Sequence, residues 1–172
     1  MTFLSPLSQK GDMLVVKIPL EGGLYYLIEN RQPVGFDQIL PDSGILILKV
    51  NPNVAEGSGT VKVINANPGA RHFAQATFRI EQDNRNLYLD KNHKIAILPL
   101  WSENEKMGVL ITTPDKSSAA RNAAMMIRKL LTRYPEPRGT EQKQIVERCM
   151  AAFKKFAFDD CEQKARKALV HD

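Results

Sequence analysis

Three histidines, two cysteines and five polar residues set between two apolar runs are the side chains of this 172-residue chain with chemistry to offer. A peptidase zinc site needs two imidazoles one helical turn apart, as in His-Glu-x-x-His, so that both face one metal while the Glu serves the attacking water. His72, His93 and His171 stand 21 and 78 residues apart and none is followed by Glu, so no catalytic or metal-binding role is expected of them. Ser43 and Ser58 lie in Gly-containing stretches, but neither sits in a Gly-x-Ser-x-Gly elbow. Asp83, Asn84, Asn86 and Asp90 carry the oxygen atoms that calcium prefers, yet without the spacing of a calcium loop, and an ordinary polar turn accounts for them. Trp101 either stacks on a sugar or covers the edge of the core. Cys149 and Cys161, twelve residues apart in helical stretches, can pair only if a bend folds the chain back between them; small apolar packing is the plainer role.

The candidate binding residues are Glu29, Asn30, Arg31, Asp37 and Asp42. They occupy the polar connection between Leu24-Tyr25-Tyr26-Leu27-Ile28 and Ile45-Leu46-Ile47-Leu48-Lys49-Val50, two β-prone runs bounded by Gly22-Gly23, Asn30, Pro41-Asp42-Ser43-Gly44 and Asn51-Pro52. A loop this polar holds itself together by internal hydrogen bonds, and Arg31 is placed to pair with Glu29, Asp37 or Asp42. The alternative is a contact with a ligand or another domain through Glu29, Arg31 and Asp37. The second run is almost continuously apolar, which predicts a central strand covered on both faces.

The elements that must position these residues follow from pattern. Residues 1–12 show no period and read as a loop. Strands are predicted over 13–20, with Pro19 marking an edge position, then over 24–28, 45–50, 60–64, 73–80, 87–89, 94–101 and 108–113, the last two joined by a turn over 102–106. After Pro114 the composition changes. Ser117 and Ser118 are placed to cap a helix whose apolar positions Ala120, Ala123, Ala124, Ile127, Leu130, Leu131 and Tyr134 recur at three and four. A break over 135–139 precedes a second helix from Thr140, with Ile145, Cys149, Met150, Phe153 and Phe156 on one stripe. Asp159 and Glu162 open a short third helix. The fold class is therefore α+β: an antiparallel β-sandwich-like domain over residues 1–114, followed by a C-terminal α-helical hairpin over 115–172.

The central stretch also resembles a known family. Tyr-Tyr-Leu-Ile-Glu-Asn-Arg-Gln, then Gly-Phe-Asp, then Leu-Pro-Asp-Ser-Gly-Ile-Leu-Ile, follow one another as in the secreted immune-inhibitor-A-like zinc metallopeptidases, downstream of their catalytic helix. The resemblance covers residues 15–68. Leu48, Lys49 and Val50 depart from the aromatic residue and His that the family tends to carry after the apolar strand. Because His-Glu-x-x-His is absent, the resemblance implies a non-catalytic accessory or binding module, extracellular or at the cell surface, that supports a protease domain or contacts protein or cell-surface partners.

Composition narrows the partners. Residues 1–114 balance 11 basic against 11 acidic side chains, whereas 115–172 hold 13 against 8, so the whole net charge of +5 lies in the helical part. Acids are interleaved there and no basic cluster is denser than Lys154-Lys155, which argues against nucleic acid. No apolar run is long enough to span a bilayer, and residues 1–11 lack the marks of a leader, which the resemblance places outside this chain. The expected partner is a protein or a catalytic domain, with no cofactor. The alternative is a free-standing structural protein that forms a homo-oligomer through its basic helical hairpin.

Overall fold

A computed structural model describes residues 1–80, 84–135 and 140–170. Asp83, the break over 136–139 and His171 lie outside the described residues, as does the first half of the polar turn expected over 81–86. The chain divides into two compact units, 1–111 and 112–172.

Among its described residues the first unit holds eight strands: β1 (Thr2–Leu4), β2 (Val15–Pro19), β3 (Tyr25–Arg31), β4 (Gly44–Val50), β5 (Val61–Ile64), β6 (Tyr88–Asp90), β7 (Ile95–Glu103) and β8 (Lys106–Thr112). They form two antiparallel four-stranded sheets, ordered β1-β8-β7-β6 and β2-β3-β4-β5. The core between them joins Leu4, Tyr26, Ile28, Ile45, Ile47, Phe78, Ile97, Met107 and Val109, all buried. Each large apolar side chain withdrawn from water in this way contributes about 1.5–3 kcal/mol. The α+β architecture is the one read from the pattern of the sequence.

Several elements differ locally from the sequence pattern. The lead-in is not all loop: Thr2–Leu4 pairs with β8, Leu4 entering the core while Phe3 lies across Gly108. Residues 73–80 form no strand. The chain turns there through a 3-10 turn at Arg71–Phe73, with His72 and Phe73 both at positive φ, and only Phe78 bridges Ile45. Phe73, expected on a buried face, is instead exposed. β4 is interior to its sheet as expected, but Leu46 and Leu48 are only half-buried; the strand buried along its length is β7, from Ala96 to Trp101. Trp101 is itself only 9% exposed, so it presents no free face for a sugar.

The second unit contains α1 (Pro114–Arg133), α2 (Thr140–Lys154) and α3 (Phe158–Val170), and α3 packs on both α1 and α2. α1 starts before the Ser117-Ser118 cap that was expected. Pro114 occupies the first turn, where its fixed φ suits a helix and its missing N–H costs nothing. Ser117 is buried, and its hydroxyl donates to the Pro114 carbonyl at 2.7 Å. Between α2 and α3 the chain reverses at Phe156, whose φ is +61°. α3 then starts at Phe158, one residue ahead of the expected Asp159, with the Cys161 N–H donating to the Ala157 carbonyl.

Candidate functional site

Alternation along β3 decides where the predicted binding residues point. Tyr26, Ile28 and Asn30 share the core face with Ile47 and Ile45 across the ladder, so Tyr25, Leu27, Glu29 and Arg31 stand on the outer face. Asn30 is fully buried. Its amide donates to the carbonyls of Leu4 (2.9 Å) and Glu105 (2.8 Å), while its side-chain oxygen accepts from Gln32 (2.9 Å). It ties β1 and the β7–β8 turn to β3, a structural task that uses its donors completely.

On the outer face Arg31 meets two of its three expected partners. Its guanidinium lies 3.4 Å from Glu29 and 2.9 Å from Asp37, which sits in the 3-10 turn Gly35–Asp37. Burial pushes the Glu29 carboxyl above its ordinary range, against the pull of the Arg31 charge. The Ser8 hydroxyl donates to the Val34 carbonyl at 2.7 Å, bracing the same loop from the other side. This pinned loop holds two large apolar side chains out in solvent: Phe36 is 98% and Ile39 92% exposed.

Asp42 belongs elsewhere. Its carboxylate accepts from the Thr77 N–H (3.1 Å) and hydroxyl (2.6 Å), and it pairs with Arg85 (2.9 Å) and Arg79 (3.0 Å). Burial alone would raise its pKa, but the Thr77 donors and the Arg85 guanidinium outweigh it and hold the carboxyl below the ordinary value. The five residues named from sequence thus fall into three places: Asn30 within the sandwich, Glu29 with Arg31 and Asp37 on the outer face, and Asp42 holding Thr77, Arg79 and Arg85.

Sequence reasoning missed a second polar cluster inside the sandwich. The Tyr26 hydroxyl donates to Asp90 at 2.6 Å and lies 2.8 Å from the Tyr88 hydroxyl. Because its single proton is committed to Asp90, the Tyr88 hydroxyl donates to it. Asp90 also accepts the backbone N–H groups of Asn92 and His93, and its other oxygen lies 2.6 Å from His93 Nδ1. Both carboxylate oxygens are therefore taken, and the calcium role considered for Asp90 has no free oxygen to use. Among the described residues no group of three His, Cys, Asp or Glu could hold a metal ion. The visible signal was Asp-Lys-Asn-His, a turn in which an Asp accepts from the two backbone amides after its neighbour. His93 also lines an open cavity of about 500 Å³ with Leu20, Glu21, Asn92 and Lys94.

The Asp90 carboxyl carries a prediction. Burial opposes its ionisation, but the Tyr26 hydroxyl and the His93 amide and ring win, and it titrates at about 2 instead of 3.8. A depressed carboxyl pKa contributes stability that is present above the unfolded value and lost as pH falls between about 4 and 2, here about 2 kcal/mol. Tyr26→Phe should move that loss to higher pH. A series of urea midpoints from pH 5 to pH 2 checks this, and a variant curve parallel to the wild type would refute it.

The remaining feature is the outer face of β2-β3-β4-β5. Leu27, Leu48 and Val63 lie side by side across β3, β4 and β5, with Tyr25 beside Val50 on one flank and Leu46 on the other. Leu27, Leu46, Leu48, Val63 and Tyr25 are half-buried and stand outside the core cluster. Lys17 extends over the Tyr25 ring at 4.0 Å. The Glu29-Arg31-Asp37 bracket closes one end of this face. In the helical unit an open groove of about 410 Å³ is lined by Tyr134, Ile145, Arg148, Lys164 and Lys167. Among the described residues no helix is long and apolar enough to cross a membrane. No family model, no curated protein and no solved structure matches the chain.

Proposed function

We propose that this chain is a non-catalytic docking module that works outside the cell or at its surface, like the β-rich part downstream of the catalytic core in immune-inhibitor-A-like metallopeptidases. Its partner is a protein domain of that kind. The observation that carries the reading is the outer face of the second sheet, where Tyr25, Leu27, Leu46, Leu48 and Val63 form a contiguous, half-buried apolar patch that ends at a braced loop exposing Phe36 and Ile39. Contiguous apolar surface rimmed by polar groups marks an interaction site. The polar residues of the segment support the reading by being spent on folding, since Arg31 fixes the loop instead of remaining free for a ligand.

The test uses the catalytic domain of an immune-inhibitor-A-like metallopeptidase as the probe, titrated calorimetrically with the full chain. Leu48→Lys, at the centre of the face, should weaken binding at least about tenfold, the loss of a central anchor. Phe36→Ser should weaken it less, and Leu131→Lys, in the helical unit, not at all. Wild-type chain that does not bind the probe would sink the proposal. Sedimentation at rising concentration tests the other reading: self-association that persists in Leu48→Lys but vanishes in Leu131→Lys would assign assembly to the helices instead.

A further inference from the structure

The packed α2–α3 pair buries one cysteine on each helix, Cys149 and Cys161. The Phe153 and Phe158 rings meet edge to face at 5.0 Å across the turn at Phe156, which fixes the level of the two helices. Cys149 lies one helical turn before Phe153, and Cys161 about one turn after Phe158, so each lies about one turn further from the bend, on the face its Phe presents to the other helix. Both are 0% exposed and both are free thiols. Helices packed at about 8–10 Å, with a Cα radius of about 2.3 Å, bring facing Cα atoms to about 3.5–5.5 Å. That range overlaps the span of about 4.4–6.8 Å that a disulfide bridges.

We propose that Cys149 and Cys161 are a dithiol site that closes to an intramolecular disulfide between α2 and α3 when the chain folds in the presence of a small-molecule disulfide such as oxidised glutathione. In the first step one cysteine thiolate attacks a glutathione sulfur, expelling one glutathione thiolate and leaving a mixed disulfide. The second cysteine then attacks the protein sulfur of that mixed disulfide and expels the other glutathione. The two protein thiols lose two electrons and two protons, and one oxidised glutathione becomes two reduced molecules.

Burial governs when this happens. It pushes both thiols up, Cys161 to about 12 with the neighbouring Cys149 adding to the effect, so thiolate is scarce in the closed hairpin. The bond forms while α3 is still undocked, and once formed it is shielded from reductant by the same packing. The site is independent of the docking face on the second sheet.

The experiment compares the full chain refolded from urea in a glutathione redox buffer with the already folded chain placed in that buffer. Thiol titration after denaturation and intact mass are the readouts. The refolded monomer should lose both thiols and two hydrogens of mass, and its urea midpoint should rise. The chain folded beforehand should react far more slowly, and Cys161→Ser should take up one glutathione at Cys149 instead. Two free thiols after refolding, two glutathiones on one chain, or disulfide-linked dimers would each overturn the proposal.

Discussion

Asp42→Ala should destabilise the first unit by about 3–5 kcal/mol, the cost of removing one member of a buried ion pair. The substitution deprives the Arg85 guanidinium, 2% exposed, of the Asp42 carboxylate that pairs with it at 2.9 Å. It also strips the Thr77 N–H and hydroxyl of their acceptor and the exposed side of Arg79 of its counter-charge. Asp42→Asn separates charge from shape: an amide oxygen can still accept from Thr77, so a smaller loss of about 1–3 kcal/mol is expected. The two urea midpoints, each against wild type, give both quantities. A loss under about 1 kcal/mol in the alanine variant would show that Arg85 finds other partners, and that Asp42 does not hold Thr77, Arg79 and Arg85 in place.

Gly44→Ala should cost about 2–5 kcal/mol, combining strain at positive φ with overpacking. Gly44 has a φ of +141°, and a Cβ there would lie 2.5 Å from the Phe78 carbonyl oxygen. That oxygen cannot move away cheaply. It accepts from the Ile45 N–H at 2.9 Å, while the Phe78 N–H donates back to the Ile45 carbonyl at 2.7 Å. These two bonds are the bridge that brings Phe78 into the core. Alanine should therefore loosen Phe78 as well as strain β4. Thermal melts give the size of the effect, and amide exchange at Ile45 and Phe78 gives its place. Protection at both amides equal to wild type would contradict the argument.

The strength of the periodic signal decided which elements the sequence disclosed. β3, β4 and the helices were legible because their apolar runs and stripes are long enough to carry a period, and Pro114 marks where one period replaces the other. β1 was invisible because three residues carry no period; what makes Thr2–Leu4 a strand is its partner β8, roughly a hundred residues away. The stretch over 73–80 misled because Phe73, Phe78 and Ile80 have strand-like chemistry. The tight turn at His72 and Phe73 uses positive φ without a glycine to announce it. In the site, the Arg31 pairs were readable because Glu29 and Asp37 are close in sequence. The partners of Asp42 were not, since Thr77, Arg79 and Arg85 arrive 35 to 43 residues later. Asp90 was noticed for its oxygens but not for Tyr26, since a contact spanning 64 residues leaves no mark on local pattern.

The two sheets differ in when their strands become available. β2, β3, β4 and β5 are neighbours in the same order in which they occur in the chain, so the second sheet is complete in pairing once residue 64 has been made. The other sheet runs β1-β8-β7-β6, and its first strand must wait for its last. On a ribosome Thr2–Leu4 emerges ahead of β2 to β8 and is the last of these strands to find its ladder partner. Until β8 arrives, Asn30 lacks the Glu105 carbonyl that it later binds, and the half-built sandwich has one sheet with no lid. Synthesis therefore exposes the interior of the β2–β5 sheet for as long as it takes to make the remaining half of the unit, the interval in which a nascent chain is most open to aggregation.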